Sequence, residues 1–384
     1  MSMQAFSGAS NAPLVDYALK GLDRCWLPEF GRWSHIYHLD NRTQPNESIP
    51  HSDVFYTLNV LLGMARVQHI PRHIDVAEIF QRNVGNLPKL PVRNYAFGVA
   101  LWASAELGLP IPEPVLGHIN DVVLNAERWK SFRAQDLGMI LVGVAAQAEK
   151  DRAKWVPTAT QLFKFLVDRY LAPSGLFFDA ASGPRRRFGS FATQTYLLLA
   201  CYAYGELVND DRAIQIANAG AFKLIEHQGP QGEWPWFFDA MSGRVLDFYE
   251  VYSVHQYGMA PAFLERAERH GVFEARNAII RGFNWVLGNN QLDRPMLVPE
   301  LQLSIRSHVR RGELQTKNWR VLRAVRSAVL GTKADLIEPS QLELRMECRS
   351  YELGWILWSF GSRTDLQELT HHAMFLQNVV NVAG

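Results

Sequence analysis

The 384-residue sequence has few cysteines and an almost balanced charge. Its three cysteines, Cys25, Cys201 and Cys348, lie far apart and match neither a zinc-ligand spacing nor a disulfide framework. A formal net charge of +1 provides no general attraction to nucleic acid or to a membrane surface. No apolar run of about 18 or more residues is present, so we expect no membrane span.

Several functional motifs are also absent from the sequence. Residues 1–8 lack the basic segment and apolar segment of a secretory signal, which together with the few cysteines predicts a cytoplasmic protein. There is no P-loop, no Gly-x-Gly-x-x-Gly motif and no nucleic-acid-binding signature. The closely spaced His35 and His38 are poor evidence for zinc on their own. We therefore expect no cofactor, no metal and no nucleic-acid partner.

The sequence does contain a series of apolar, small-residue-rich helices that lack a polar face. A helix that is apolar on all sides is buried on all sides. Six such inner helices are predicted: Ser52 to Val67, with Ser52 as the N-cap, Asn94 to Leu107, Ala134 to Gln147, Phe188 to Leu207, Tyr249 to Glu268 and Tyr351 to Phe360.

Amphipathic helices alternate with these apolar ones along the chain. They are predicted at Pro13 to Cys25, Val76 to Val84, Pro112 to Glu127, Ala153 to Leu171, Asp210 to His227, Phe273 to Leu287 and Thr364 to Val380. Period-2 alternation is nearly absent. The pattern predicts an all-α fold, a single (α/α)6-type toroid over residues 13–384. A flexible segment would precede it at residues 1–12, and a basic insertion would interrupt it at about residues 289–348.

A seven-residue phrase, Phe-Phe-Asp-Ala-x-Ser-Gly, occurs at residues 177–183 and again at residues 237–243. Each copy follows a Gly/Pro-rich stretch and precedes an inner helix. We interpret the phrase as a turn, in which Asp179 and Asp239 cap or brace the backbone. The two copies differ in their surroundings, because only the second is preceded by Trp234-Pro-Trp236.

The N-terminal ends of the inner helices are predicted to surround one mouth of a central funnel, where unpaired N–H groups and helix dipoles converge. The densest group of polar and aromatic residues lies at 229–256. Trp234 and Trp236 are separated by a proline and suit stacking on a sugar ring. Tyr252, His255 and Gln256 follow at i, i+3 and i+4, and would share a helix face on which tyrosine and histidine act as acid and base.

Carboxylates on otherwise apolar inner helices are costly unless they are paired or functional. The predicted catalytic residues are His255, Tyr252, Glu250, Asp53 and Glu352. The predicted substrate-binding residues are Trp234, Trp236, Asp239, Arg93, Tyr56, Gln256 and Arg349. An Arg349–Glu352 brace, three residues apart, is the structural alternative for Glu352.

A basic stretch at residues 304–326 contains seven Lys or Arg residues and one acid, Glu313. Arg320, Arg323 and Arg326 recur at i, i+3 and i+6 and share a predicted helix face. This face is either solvated or a binding patch for an anion.

The helix alternation and the Gly-x-Trp-Pro-Trp-Phe-Phe-Asp loop at residues 232–239 resemble the α/α-toroid superfamily over roughly residues 13 to 380. That superfamily includes six-hairpin glycosidases, polysaccharide lyases, glucuronyl C5-epimerase helical domains and terpenoid cyclases with prenyltransferases. The resemblance implies an enzyme acting on a glycan, which we expect to be acidic, as a lyase, epimerase or glycoside hydrolase. The alternatives are a terpenoid cyclase-like enzyme and a non-catalytic glycan-binding toroid.

The sequence departs from several members of that superfamily. The Asp-x-Asp-Asp motif of terpenoid cyclases is missing, and Asn209-Asp210-Asp211 at the start of an outer helix does not replace it. The zinc ligands of prenyltransferases and of lanthionine cyclases have no counterpart either. These absences favour glycan chemistry over isoprenoid chemistry.

Overall fold

The computed structural model describes residues 10–313, 317–332, 334 and 336–376. Its α-helices are α1 (Pro13–Cys25), α2 (Pro50–Met64), α3 (Val76–Asn86), α4 (Tyr95–Leu107), α5 (Glu113–His118), α6 (Ala134–Ala148), α7 (Arg152–Tyr170), α8 (Phe191–Val208), α9 (Asp211–Glu226), α10 (Ala260–Arg269), α11 (Ala275–Leu287), α12 (Lys317–Leu330), α13 (Ser350–Phe360), α14 (Gln367–Thr370) and α15 (Ala373–Leu376). Single π-helical turns occupy Ile119–Val123 and His255–Met259.

Short strands connect the helices. They are β1 (Trp26–Leu27), β2 (Arg32–Trp33), β3 (Ile36–His38), β4 (Asn46–Glu47), β5 (Phe188–Ser190), β6 (Phe237–Asp239), β7 (Arg244–Asp247), β8 (Val251–Tyr252), β9 (Leu297–Val298), β10 (Leu303–Ser304), β11 (Ser307–Arg310), β12 (Leu342–Arg345) and β13 (Glu347–Cys348). They form two-stranded and three-stranded antiparallel sheets, including β5–β6–β7, β8–β11–β12 and β4–β3–β13.

The inner helices form a closed ring. Helix α2 packs against α4, α4 against α6, α6 against α8, α8 against α10, α10 against α13, and α13 returns to α2. The outer helices pack on this ring, α1 on α13, α3 on α2, α7 on α6, α9 on α8 and α11 on α10. The predicted alternation of apolar and amphipathic helices is therefore confirmed, and the single large core runs through the ring.

Glycines allow two inner helices to approach closely. A Cβ atom added to Gly143 on α6 would lie 2.3 Å from the carbonyl oxygen of Gly98 on α4. A Cβ atom added to Gly98 would lie 2.5 Å from the backbone nitrogen of Ile140. Backbone atoms at these distances cannot give way as a side chain can, so the α4–α6 spacing depends on both glycines.

The main error of the sequence-based prediction is that it contains no strands. Helix α8 begins at Phe191 rather than Phe188, because Phe188–Ser190 pair with β6. The predicted helix from Tyr249 to Glu268 is also wrong in its first part, where Val251 and Tyr252 pair with β11 and the helical turns begin only near His255. Strands of two to four residues are too short to show a period-2 pattern.

Other predicted boundaries also change. The N-cap of α2 is Ile49, and Ser52 lies within the first turn. The helix predicted at Pro112 to Glu127 ends with the π-helical turn at Val123. Only α14 and α15 lie in the range Thr364 to Val380, whose last residues are outside the described part.

Most of the segment 1–12, predicted to be flexible, also falls outside the described part. In the described residues of this segment, the Asn11 amide donates hydrogen bonds to Asp16 and to the backbone oxygen of His69.

The basic segment is divided between the interior and the surface. Strand β11 lies between β8 and β12, which brings residues 303–310 into the fold. Helix α12 packs on β7 through Ala324 and Ala328. On this helix Arg323 pairs with Glu313, Arg326 is exposed, and the side chain of Arg320 is outside the described part. No helix in the described ranges combines the length and apolar character needed to cross a membrane.

The Gly143→Ala variant tests the close helix approach. We expect it to lower the free energy of unfolding by about 1–3 kcal/mol, because the added methyl group meets backbone atoms. Gly85→Ala on α3 is the matched control, since a Cβ atom there meets nothing within 4 Å. The control should raise stability by about 0.5–1 kcal/mol through helix propensity. Chemical denaturation measures both, and equal effects would contradict the packing argument.

Candidate active site

A cavity of about 310 Å³ opens at the N-terminal ends of the inner helices. It is lined by Phe55, Tyr56, Arg93, Tyr95, Gln135, Met139, Ser190, Ala192, Tyr196, Trp236, Tyr252, His255, Met259, Arg306 and Tyr351. Its size is at the lower end of the range for small-molecule sites. Among the described residues that line it are five tyrosines, two arginines and one histidine, but no aspartate or glutamate.

His255 and Tyr252 meet in the cavity although they do not share a helix face. Tyr252 lies on β8, His255 begins the π-helical turn, and their ring centroids are 5.0 Å apart. Phe191 also packs against the imidazole, with ring centroids 4.5 Å apart. Burial, reinforced by Arg306, lowers the pKa of His255 to about 3, so the ring is neutral near pH 7. Its Nδ1 atom is buried, which leaves Nε2 to contact a ligand.

Arg306 reaches the cavity from the chain between β10 and β11. Its guanidinium lies 5.1 Å from the centroid of the Tyr252 ring. Behind the cavity, Nη1 donates to Glu352 at 3.0 Å and Nε lies 3.3 Å from Glu347. Two carboxylates therefore hold this arginine from behind while the cavity side is left to a ligand.

Glu352 lies behind Arg306 and does not line the cavity. Its carboxylate is fully buried, and it also accepts a hydrogen bond from the Tyr257 hydroxyl at 3.1 Å. Burial raises the pKa of Glu352 to about 7, although Arg306 and Arg349 oppose the shift. The predicted Arg349–Glu352 brace is wrong, because Arg349 donates instead to Glu347, at 2.8 and 3.0 Å.

Glu250 also lies outside the lining, behind Tyr252. It accepts hydrogen bonds from Tyr252 at 3.1 Å, from Arg345 at 2.8 Å and from Ser307. Gln256 is buried and donates to the backbone oxygen of Tyr252 at 3.2 Å. Both side chains support the position of Tyr252.

Asp53 lies at the start of α2 and organises the preceding loop. It accepts from the backbone and ring nitrogens of His35 at 2.9 and 3.0 Å, and from Ser48 at 2.5 Å. Arg32 lies 3.3 Å away. These contacts account for a buried carboxylate without a catalytic role.

The remaining predicted residues on the entry loops separate into two groups. Trp236 lines the cavity and stacks on Phe237 at 4.4 Å, whereas Trp234 is fully buried beside Phe191. Asp239 is buried outside the lining, where it pairs with Arg187 at 2.9 Å and accepts from the backbone of the following turn.

The aspartate in the first copy of the repeated phrase has a different structural role from the aspartate in the second copy. Asp179 accepts from the backbone nitrogen of Ser190 at 2.9 Å and from the Thr193 hydroxyl, at the start of α8. Asp179 therefore braces a helix start and Asp239 braces a turn. The shared phrase belongs to the scaffold, as its two different environments indicate.

Arg93 and Tyr56 line the cavity at the starts of α4 and α2. Arg93 lies 4.8 Å from the centroid of the Tyr95 ring and 3.6 Å from Asp136, and its Nη2 atom makes no hydrogen bond to a described residue. The Tyr56 hydroxyl accepts from Arg349 at 3.3 Å, so Arg349 acts on the cavity through Tyr56.

The important residue that sequence reasoning missed is Arg306. We counted it within the basic stretch at residues 304–326 and gave it no role of its own. The apolar residues Leu303, Ile305 and Val309 on either side of it are all buried. An arginine inside such a buried segment requires a buried acid partner or a ligand. Within the described part of the chain, no group of three or more His, Cys, Asp or Glu side chains is arranged to hold a metal ion.

Solved structures with the same architecture identify the fold. Cellobiose 2-epimerase from Bacillus thermoamylovorans is 10% identical, with a TM-score of 0.61 over 91% of this chain and 99% of the epimerase. Unsaturated glucuronyl hydrolase from a Bacillus species is 11% identical, with a TM-score of 0.55 over 91% and 94%. An α-1,6-mannanase of Salegentibacter is 12% identical, with a TM-score of 0.54 over 91% and 98%. The chain therefore has the α/α-toroid fold. No protein-family model and no curated protein matches the sequence.

The raised pKa of Glu352 makes a prediction about stability. The folded state holds this proton more tightly than the unfolded state, so ionisation of Glu352 opposes folding as pH rises from the ordinary glutamate pKa through about 7. The free energy of unfolding of Glu352→Gln, relative to that of the wild type, should therefore increase by on the order of 2 kcal/mol as the pH rises from about 5 to about 8.

Glu347→Gln is the matched control for this measurement. Burial would raise the pKa of Glu347, but Arg306 and Arg349 outweigh it and the pKa is lowered. Glu347 is therefore ionised throughout the same window. Its variant should show only a smaller trend, because removing this negative neighbour lowers the pKa of Glu352 but leaves Glu352 able to titrate. Denaturation curves at several pH values measure both, and parallel behaviour of the two variants would contradict the assignment.

Proposed function

We propose that the protein is a carbohydrate-active enzyme that transfers a proton at the carbon next to the carboxylate of an acidic sugar. The observation that carries this proposal is the cavity lining, which among the described residues offers arginines, tyrosines and a neutral histidine but no carboxylate. The fold supports it, because proteins of this fold include a glucuronyl hydrolase and a sugar epimerase.

Lyases and epimerases of acidic sugars share their first step. A base removes the proton next to the carboxylate, and the electron pair of the C–H bond moves into the carboxylate group. The added negative charge needs cations or hydrogen-bond donors placed in advance. Arg306 and Arg93, which line the same cavity, meet that need.

The imidazole and the phenols are in the protonation states that this step requires. His255 is neutral near pH 7, so Nε2 has a free electron pair for the proton. Its pKa of about 3 makes the imidazole a weak base in the free protein, and the negative charge of a bound carboxylate would raise that pKa toward the value that proton abstraction needs. Burial raises the pKa of Tyr95 to about 12 and also raises that of Tyr351, so both phenols keep their protons. In a lyase, the electron pair expels the group on the neighbouring carbon and a phenol protonates it. In an epimerase, a proton returns on the opposite face.

Hydrolysis is the less favoured reading. Two-carboxylate glycosidases need acidic groups about 5–10 Å apart on either side of the bond. Glu250 and Glu352 are held behind Tyr252 and Arg306 by hydrogen bonds and ion pairs. Asp136 and Asp179 also contact lining residues, Arg93 and Ser190, but do not line the cavity themselves. The cyclic contacts of the inner helices further support a toroid of the six-hairpin type.

His255→Gln tests the proposed base. Two readouts on a panel of uronate oligosaccharides report proton abstraction. Solvent deuterium incorporation next to the carboxylate, followed by NMR, reports an epimerase, and ultraviolet absorbance of the unsaturated product reports a lyase. The variant should lose about 100- to 10,000-fold in the rate of exchange or of elimination.

His308→Gln is the control for this variant, since burial also lowers the pKa of His308 to about 3 and it does not line the cavity. It should retain exchange. Wild-type hydrolysis without any exchange would overturn the proposal, and binding without either reaction would indicate a glycan-binding protein.

Arg93→Gln tests recognition of the acidic group. The guanidinium is partly exposed and only loosely paired, so its loss should leave the fold intact. We expect about a tenfold fall in kcat/KM for a uronate substrate, from the loss of one charged hydrogen bond. Arg212→Gln on the exposed face of α9 makes the same change of net charge and should have no effect. Equal rates for all three proteins would argue against a role for Arg93.

A further inference from the structure

Four charged side chains form a buried cluster behind the cavity. Arg306 contacts Glu352 at 3.0 Å and Glu347 at 3.3 Å, and Arg349 contacts Glu347 at 2.8 Å. The exposed fraction of each of these side chains is below one fifth. Two positive and two negative groups compensate each other, so the cluster is neutral when both carboxylates are ionised.

Glu352 is the least solvated member of the cluster. Its side chain has no exposed surface, whereas that of Glu347 is 11% exposed and accepts two hydrogen bonds from Arg349. The Tyr257 hydroxyl, which bonds to Glu352, also lies 2.7 Å from the Ser304 hydroxyl. The titratable and charged groups that face Glu352 are Arg306, Arg349, Glu347, Cys348, Tyr257 and Tyr351.

A ligand carboxylate at Arg306 would disturb this balance. It would add a third negative charge to two arginines, in a region where low solvent exposure strengthens repulsion between carboxylates. Neither arginine can supply a compensating proton, because a guanidinium is always protonated. The cluster regains neutrality if one carboxylate takes a proton from water, and the most buried one carries the largest cost of remaining charged.

We infer that binding of an acidic sugar in the cavity is coupled to the uptake of a proton by Glu352. This inference rests on the proposed function, since it requires a ligand carboxylate at Arg306. By reciprocity of linked equilibria, a ligand that favours protonated Glu352 binds more tightly when Glu352 is already protonated. The cavity would then select its acidic ligand more strongly at lower pH.

The direction of the pKa shifts agrees with this geometry. The pKa of Glu352 is raised to about 7 by burial, and that of Glu347 is lowered by its two arginines. Above about pH 7 the free protein must take up the proton in order to bind. The dissociation constant should therefore rise by up to about tenfold per pH unit above that point.

Calorimetric titration in two buffers with different ionisation enthalpies measures this proton. D-Glucuronate and D-galacturonate are the probes, and D-glucose and D-galactose are the neutral controls. Near pH 8 the wild type should take up most of one proton per bound uronate. Glu352→Gln should bind the uronate without proton uptake and with a dissociation constant that varies little with pH.

Two further variants distinguish proton uptake by Glu352 from proton uptake by neighbouring groups. His255→Gln should keep the proton uptake, since the imidazole is not its source. Glu347→Gln should move the uptake to lower pH, because removing a negative neighbour lowers the pKa of Glu352. The comparison of Glu347→Gln with the wild type tests proton uptake by Glu352 even if Glu352→Gln fails to fold.

The outcomes distinguish this inference from the proposed function. Uronate binding without proton uptake, or uptake that disappears in His255→Gln and persists in Glu352→Gln, would overturn the coupling and leave the proposed function standing. An unchanged uptake profile in Glu347→Gln would also overturn the coupling. If the wild type binds neither uronate, or binds the neutral sugars equally well, the proposed function and the coupling both fail.

Discussion

The contact of Arg306 with Glu352 and Glu347 is the interaction on which the candidate site depends. It joins the chain before β11 to the start of α13, and so links the inserted segment to the inner ring. A buried arginine is stable only when its charge is compensated, and here two carboxylates hold it from one side. The other side faces Tyr252 and the cavity. The cavity thereby presents a fixed cation to a ligand.

The rest of the fold places groups around that cation. Inner helices contribute lining residues near their N-terminal ends, where helix dipoles also favour a negative ligand. Aromatic rings provide much of the remaining surface, including Tyr56, which packs against Tyr351 at 4.6 Å. Such a cavity suits a small ring-shaped ligand that carries an anionic group. The nearby carboxylates do not line the cavity. They hold Arg306, Tyr252 and, through Arg349, Tyr56 in position.

The sequence predicted the helical framework well and the site only in part. Helices that are apolar all round must be buried, so α4 and α6 could be located almost to the residue. His255, Tyr252 and Trp236 were identified from their density on one segment, and they do line the cavity. The distant partners of Glu352 and Glu250 could not be foreseen, because they lie in or next to strands too short to leave a pattern, about 50 to 100 positions away along the chain.

We propose that the cavity binds an acidic sugar through Arg306, with the reacting carbon beside His255. A crystal structure of the protein with a bound uronate would test this arrangement. We expect the ligand carboxylate within hydrogen-bond distance of the Arg306 guanidinium, and the neighbouring carbon close to Nε2 of His255. A uronate bound elsewhere on the toroid, or bound in this cavity with its carboxylate directed away from Arg306, would rule out the proposed binding mode.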